Sequence, residues 1–315
     1  MRAERYGGGI GGVLKSSSLS TALVDSASSV SVTEEMTGGV VAEASGAQLS
    51  DISVDATVNG GRYTGGVAGR VEMGGRLVDL YSGGAVSGGQ YTGGMLGELT
   101  DHSVMYNAYS LSSVACRMAP CSAFIARISG YTTIKTAYTS GMITDERDEL
   151  LLPEALENTE ISQDAPHLEN DESDGDDSGA QDGDASENQP ETPEEPQEKD
   201  VQIPIAMLIA SVGSADNFAH NMYYWSETNV DAMPKLEVSG ISAPNAFIYR
   251  ELRPVVVNTG ELLVKTLNND LSCKGGSCTI DGFACLQWID EKYLLSGPAE
   301  EQTTTVQIPR LRIGR

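Results

Sequence analysis

Two aspartates are the first candidates for chemistry in this sequence. Asp51 and Asp79 lie 28 positions apart, which is the step at which the surrounding sequence repeats. We therefore expect them to be neighbours, and two adjacent carboxyl groups can act as an acid and base pair in polysaccharide cleavage. The flanking copies carry Asn107 and Ala137 at or near this position, and no basic residue shares the spacing. A solvated polar ladder is the expected role, with catalysis as the alternative.

Tyrosines recur at the same spacing and offer a second kind of chemistry. Tyr81, Tyr109 and Tyr138 are 28 and 29 positions apart, so their rings are expected to stack. Such a stack is either a platform for sugar rings or an inward column that fills the core, and the inward column is the prediction. Tyr63 and Tyr91 lie just before two glycine-rich stretches and present the same two alternatives.

The remaining polar clusters do not predict a metal or catalytic centre. None of His102, His167 and His220 belongs to a His-Glu-x-x-His motif. We expect His102 and His220 in loops and His167 in an acidic segment. Residues 170–177 and 182–184 are rich in the oxygen ligands that calcium prefers, but they lack the regular spacing of a calcium loop. The sequence therefore predicts no catalytic residue, no cofactor and no defined metal site.

Five cysteines bear on the compartment in which the protein works. Cys116 and Cys121 are separated by four residues, as are Cys273 and Cys278. Local disulfides would suit an oxidising compartment, whereas small buried thiols are the alternative. Cys285 makes the number odd, and the pairing stays open at the level of sequence.

The elements that position these residues come from an internal repeat. A box of the form Gly-Gly-apolar begins at Gly8, Gly38, Gly65 and Gly93, with a degenerate copy aligned at Ser122; the steps are 30, 27, 28 and 29 residues. Apolar and small or polar residues alternate after each box, which is typical of half-buried strands. A unit of two or three short strands cannot bury its apolar face alone, so it stacks on the next copy. We predict an all-β, parallel β-solenoid (β-helix) of about 28-residue repeats over residues 1–143.

An acidic segment interrupts the repeat. Residues 144–200 contain 22 Asp and Glu against Arg147 and Lys199, and residues 169–200 lack Leu, Ile, Val, Met and aromatic side chains. Such a composition predicts a disordered insertion. Ala126 and Ala210 are 84 positions apart, and without the insertion the step is 27. The solenoid is thus expected to resume in phase within residues 201–315, which end in a capping region for the stack.

The repeat resembles a known family. The glycine box followed by Tyr-Ser-x-Gly-x-Val, clearest at 63–69 and 81–86, is similar to the GLUG repeat of bacterial surface proteins, including adhesins and the non-catalytic regions of secreted IgA-specific metallopeptidases. Residues 282–288 resemble the closing segment of such arrays, with Ala284 where proline is usual. The resemblance covers most of residues 6–143 and parts of 205–290. It implies a right-handed β-solenoid that is exported and acts as a stalk or adhesive surface.

Charge and hydropathy narrow the partners and the location. The net charge of −25 argues against nucleic acid and anionic membranes as partners. The N-terminus lacks the apolar stretch of a signal peptide, and residues 203–212 are too short to span a bilayer. We expect export and anchoring segments to lie outside this sequence, with no direct membrane insertion. The expected function is a non-catalytic extracellular or cell-surface module for adhesion or a stalk, with a host glycan or surface protein as partner. A carbohydrate-active β-helix enzyme and an inert spacer are the alternatives.

Overall fold

The repeats stack into a parallel β-solenoid. The structure is a computed structural model that describes residues 2–146, 201–202, 205–206, 208–212, 217–224, 260–295 and 304–313. Four strands make one coil, and each strand pairs in parallel with its equivalent one repeat later. Within the described ranges five coils are complete and a sixth is described in part. The predicted β-solenoid is confirmed, although a repeat holds four strands rather than two or three.

The strands of successive coils line up in four parallel sheets, which we call sheets 1 to 4. Sheet 1 contains β1 (Arg2–Ala3), β5 (Ser29–Val32), β9 (Thr57–Asn59), β13 (Ala85–Gly88), β17 (Ser113–Cys116) and β21 (Met142–Asp145). Sheet 2 contains β2 (Tyr6–Gly8), β6 (Met36–Gly38), β10 (Tyr63–Gly65), β14 (Thr92–Gly93), β18 (Cys121–Ser122) and β23 (Ile205–Ala206). Sheet 3 contains β3 (Gly11–Lys15), β7 (Val41–Ser45), β11 (Ala68–Glu72), β15 (Leu96–Leu99), β19 (Ile125–Ile128) and β24 (Ile209–Val212), with the antiparallel β22 (Val201–Gln202) beyond β24. Sheet 4 contains β4 (Ser18–Val24), β8 (Gln48–Val54), β12 (Arg76–Ser82), β16 (Val104–Ser110), β20 (Thr133–Thr139) and β25 (Phe218–Tyr224).

Columns of apolar side chains fill the interior. Leu49, Leu77 and Met105 are paired across β8, β12 and β16, and all three are fully buried. The glycine boxes form the bend between sheets 2 and 3, where a Cβ on Gly66 would overlap the carbonyl oxygen of Gly94 in the next coil. Glycine is needed here because adjacent coils approach too closely for a side chain.

One residue at positive φ interrupts each of the first five strands of sheet 4. These residues occupy equivalent positions, and we call them the polar column: Thr21, Asp51, Asp79, Asn107 and Thr136, with φ between 55° and 59°. The strand pairing skips this position, so the two-residue alternation restarts after it. As a result Leu77 and Leu80 both face the interior, whereas Val78 and Tyr81 face outward.

The acidic insertion leaves the stack at the bend between sheets 1 and 2. In the fifth coil this bend runs from Cys116 to Cys121 and is closed by a disulfide between them. The equivalent residues of the sixth coil are Asp145 and Ile205. Strand β21 includes two residues that the sequence assigned to the insertion, while the pairing of Ile125 with Ile209 confirms that the solenoid resumes in phase. Residues 147–200, predicted to be disordered, lie outside the described residues.

Replacing the insertion tests this arrangement. In one variant, residues 147–200 are replaced by a short Gly/Ser linker. Its free energy of unfolding is expected to lie within about 1 kcal/mol of that of the parent chain, because loop-closure entropy depends only weakly on length. Urea unfolding followed by circular dichroism measures this. As a contrast, one residue inserted after Leu80 in β12 is expected to destabilise the fold more than the linker does, because it turns Tyr81 and the buried Ser82 to the opposite faces of the strand. A linker variant that fails to fold in the absence of urea would contradict the in-phase register.

The described C-terminal residues lie along the side of the stack. They form α1 (Gly260–Asn268), the antiparallel strands β26 (Ser272–Lys274), β27 (Ser277–Ile280) and β28 (Phe283–Cys285), and the hairpin of β29 (Ile289–Leu295) and β30 (Thr304–Arg310). We call residues 260–295 and 304–313 the strap. Ile280 packs on Val78 and Tyr106, and Trp288 packs on the tyrosines of sheet 4. The strap covers the apolar outer face of sheet 4. The sequence predicted a cap for the end of the stack within residues 201–315, and residues 225–259, which follow the last described coil, lie outside the described residues.

Candidate functional site

The two candidate aspartates meet in the polar column. Asp51 and Asp79 occupy equivalent positions of the second and third coils, as predicted. The next position is Asn107, also as predicted, and the fifth coil contributes Thr136, which precedes the suggested Ala137, because the step between these two coils is 29 residues. The strap covers this part of the column. The Leu286 N–H lies 3.0 Å from both carboxylate oxygens of Asp79, and Asn107 Nδ2 donates to Asp79 Oδ1.

Burial changes the acidity of Asp79. The residue is 5% exposed. Loss of solvent raises its pKa to about 6, the hydrogen bonds from Leu286 and Asn107 oppose the rise, and the neighbouring Asp51 adds to it. An elevated pKa suits a general acid, but both oxygens already contact the strap. The arrangement therefore fastens the strap to the solenoid and leaves no room for a polymeric substrate at this carboxyl.

The raised pKa predicts a pH-dependent stability. Between about pH 4 and 6 the folded chain retains a proton on Asp79 that the unfolded chain releases, so this group makes stability fall as pH rises and stay flat above. Asp79→Asn removes the titration. Relative to the parent, its free energy of unfolding is expected to increase by up to about 3 kcal/mol as the pH rises from 4 to 7. Urea unfolding across that range measures the difference. Asp101→Asn, an exposed aspartate that also has positive φ, is the control for the substitution itself. Parallel profiles for the parent and Asp79→Asn would contradict the assignment.

The tyrosine stack forms, but it faces outward. Tyr81, Tyr109 and Tyr138 lie on neighbouring coils, with ring centroids 4.7 Å and 5.4 Å apart. The prediction of an inward column is wrong, because the residue at positive φ in each strand sends these side chains to the outer face. They are nevertheless buried, since Trp288 of the strap lies 5.6 Å from Tyr109 and from Tyr138. The alternative of an open sugar platform therefore does not fit this stack either.

The second tyrosine pair is covered by arginines. Tyr63 and Tyr91 stack with ring centroids 5.1 Å apart, outside the interior core. The guanidinium carbon of Arg62 lies 5.1 Å from the centre of the Tyr63 ring, and that of Arg127 lies 5.4 Å from the centre of the Tyr91 ring. These cation–π contacts bury the rings.

An alternating charge ladder, missed in the sequence, runs beside this pair in sheet 3. It consists of Glu43, Arg70, Glu98 and Arg127 at paired positions of four coils. Arg70 Nε lies 2.8 Å from Glu98 Oε2, without the alignment of a hydrogen bond, and Arg127 Nη1 donates to Glu98 Oε1 over 2.9 Å. Burial raises the pKa of Glu98 while both arginines oppose the rise. The one-repeat spacing of these four residues was the available signal.

An exposed surface lies at the bend between sheets 3 and 4, which we call the 3–4 corner. His102 and Tyr131 occupy equivalent positions of the fourth and fifth coils, and their rings stack with centroids 5.0 Å apart. Beside them an open cleft of about 380 Å³ crosses the first three coils. The cleft is lined by small, polar and flexible residues: Ser16, Ser17, Ser18, Gly46, Ala47, Gln48, Met73, Gly74 and Arg76.

The predictions for the histidines, the acidic runs and the cysteines have different outcomes. His102 lies in a turn, as predicted, whereas His220 lies in β25 opposite Lys135 and not in a loop. His167 and the acidic runs at 170–177 and 182–184 lie outside the described residues. Cys273 and Cys278 form a disulfide across β26 and β27, so of the two alternatives that the sequence left open, local disulfides are present at both cysteine pairs. Cys285 is a free thiol whose pKa burial raises to about 12.

Comparisons with known proteins give no relative. No family model, no curated protein and no solved structure matches the chain. Across the residues that the structure describes, no helix has the length and apolar character needed to cross a lipid bilayer.

Proposed function

We propose that the chain is a non-catalytic, extracellular bacterial surface module of the GLUG-repeat type, which acts in adhesion. The observation that carries the proposal is the in-register stack of coils, whose 3–4 corner exposes the rings of His102 and Tyr131 and the hydroxyl groups of serines. Repetition of a short unit produces a long, regular surface, and extended surfaces of this kind are what repeat proteins use for binding.

Two features support an extracellular setting for the module. Cys116–Cys121 and Cys273–Cys278 are disulfides between neighbours in sequence, and such bonds persist in oxidising compartments. Mass spectrometry of protein isolated from whole cells, denatured and alkylated without reduction, is expected to find one labelled thiol, at Cys285, because the other four cysteines are in disulfides. Labelling at all five cysteines would count against this location.

The contacts of Asp79 argue against a catalytic role for its carboxylate. Its carboxylate receives hydrogen bonds from Leu286 of the strap and from Asn107. A carboxyl group that must reach a glycosidic oxygen needs an open face, and this one lies beneath the strap. The polar column therefore has a structural role in the proposal.

A bead-attachment assay tests the proposed adhesion. Beads coated with the full chain are expected to attach to mammalian epithelial cells in a saturable manner, and the free chain is expected to compete. Beads coated with chain that has been denatured, reduced and alkylated control for nonspecific attachment by the acidic segment. Equal attachment of both bead types, or release of sugar products from polysaccharides by the folded chain, would overturn the proposal.

A further inference from the structure

We propose that the strap carries a thiol–disulfide exchange site, in which Cys285 displaces Cys273 from its bond to Cys278 and leaves Cys273 as a reactive thiol at the surface. The exchanged chain can then be joined covalently, through Cys273, to a molecule that itself carries a disulfide. This inference is independent of the adhesion proposal, because it concerns only the three-stranded sheet of the strap and the groups that cover it.

The three cysteines lie in one row across this sheet. Cys278 of β27 is paired on one side with Cys273 of β26, to which it is bonded, and on the other side with Cys285 of β28. Cys285 is a free thiol. Side chains of directly opposite residues in an antiparallel sheet point to the same face. The thiol therefore adjoins the disulfide on the side of Cys278 that faces away from Cys273, which is the side from which an attacking sulfur can expel Cys273.

Two tight turns hold the cysteines in this register. Residues 275–276 and 281–282 join the three strands, and all four have positive φ, as in two-residue type I′ hairpins. The Cα atoms of Cys273 and Cys278 are 4.0 Å apart, which marks the closer, non-hydrogen-bonded type of pair. A residue in a middle strand directs its N–H and C=O to one neighbour, so Cys278 and Cys285 form the hydrogen-bonded type, with Cα atoms about 5.5 Å apart. A disulfide can bridge that separation.

Burial differs along the row and sets the direction of the exchange. Cys273 is exposed, Cys278 is 6% exposed, and Cys285 is half-buried in the contact between strap and solenoid. Burial, with a smaller contribution from the carboxylate of Asp79, raises the pKa of Cys285 to about 12. Because the thiolate is the attacking species, the resting pairing persists at neutral pH. A sulfur released at Cys273 lies in water and ionises near the ordinary thiol pKa of about 8.5, so alkaline pH favours the exchanged form.

The exchange conserves atoms and the number of disulfides. In the first step the Cys285 thiol gives its proton to water, and its thiolate attacks Cys278 Sγ. The bond between Cys278 and Cys285 forms, the bond between Cys273 and Cys278 breaks, and Cys273 leaves as a thiolate. In the second step this thiolate attacks one sulfur of an external disulfide, forms a mixed disulfide and releases the other half as a thiolate. The external disulfide is the only co-reactant that the two steps need.

Incubation with oxidised glutathione tests the proposal. The full chain is incubated with this disulfide at pH 9, where the thiolate fraction of Cys285 is about a hundredfold higher than at pH 7. Acid stops the reaction, and tandem mass spectrometry without reduction locates the bonds. Glutathione is expected on Cys273, with a disulfide between Cys278 and Cys285, at a rate per molecule that is independent of protein concentration. Glutathione on Cys285 with the resting disulfide retained, or a rate that rises with protein concentration, would overturn the proposal.

Two variants and one internal control complete the experiment. Cys285→Ser leaves the chain without a free thiol, so modification of Cys273 is expected to fall at least tenfold. Cys273→Ser leaves Cys278 and Cys285 as thiols, and oxidised glutathione is expected to convert them into a disulfide with release of two glutathione molecules. Two lasting glutathione adducts on that variant would overturn the proposal. The disulfide between Cys116 and Cys121, whose cysteines have no further cysteine opposite them, is expected to stay intact, and its exchange at an equal rate would indicate general scrambling instead.

Discussion

Replacing Trp288 by alanine is expected to lower the free energy of unfolding by about 3–5 kcal/mol, the cost of deleting a large buried aromatic side chain. Trp288 is 1% exposed. Its ring touches Tyr109 and Tyr138, and its backbone exchanges two hydrogen bonds with Asn268 of α1. The substitution opens a cavity between the strap and the tyrosine stack. Urea unfolding followed by circular dichroism measures the loss.

A matched control lies in the same column of side chains. Leu23 occupies the first-coil position that leads through Ser53 to Tyr81, and it is 71% exposed. Leu23→Ala removes an outward apolar side chain that nothing in the described strap covers, so a change of less than about 0.5 kcal/mol is expected. An equal loss for the two variants would show that the strap contributes no stability through Trp288.

The second large effect is expected at Glu98. Glu98→Lys places a third cation between Arg70 and Arg127 on adjacent coils of the charge ladder. Breaking a buried ion pair by removing one partner costs about 3–5 kcal/mol because it strands the remaining charge, and both arginines are partly exposed, so the lower end of that range applies. The same unfolding experiment at low salt gives the value.

Glu43→Lys is the comparison for this charge reversal. Glu43 belongs to the same ladder but adjoins Arg70 on one side and Val13 on the other, and it is less buried than Glu98. A loss smaller than that of Glu98→Lys, and one that shrinks as salt is added, is expected for this more exposed site. The reverse order of the two losses would contradict the role given to Glu98.

Register was predictable from the sequence because identical residue types recur at the repeat step. The glycine boxes, the tyrosine spacing and the step from Ala126 to Ala210 each report which residues lie one above another, and the structure pairs them in that way. A stack of coils converts sequence spacing directly into neighbourhood, so no long-range contact had to be guessed. For the same reason the pair of Asp51 and Asp79 was found.

The same reasoning did not predict which side chains of sheet 4 face outward, or that the strap covers them. One residue at positive φ in each sheet-4 strand changes which side chains face inward, and aspartate, asparagine and threonine at that position give no clear signal of it. The helix α1 carries Leu263 and Leu267 four residues apart, which is a helical spacing, but a single pair does not stand out. The strap packs on a column of tyrosines that faces outward, whereas this column was predicted to face inward.

The hydrogen bond from Leu286 to Asp79 joins residues that are 207 positions apart. During synthesis the coils of the third to fifth repeats emerge long before the residues that cover them. Neighbouring repeats need only each other to form, whereas the tyrosine rings remain exposed to water until the strap has been synthesised. Closure over those rings therefore follows the formation of the coils, and a chain truncated before the strap would present an uncovered row of aromatic rings to chaperones and proteases.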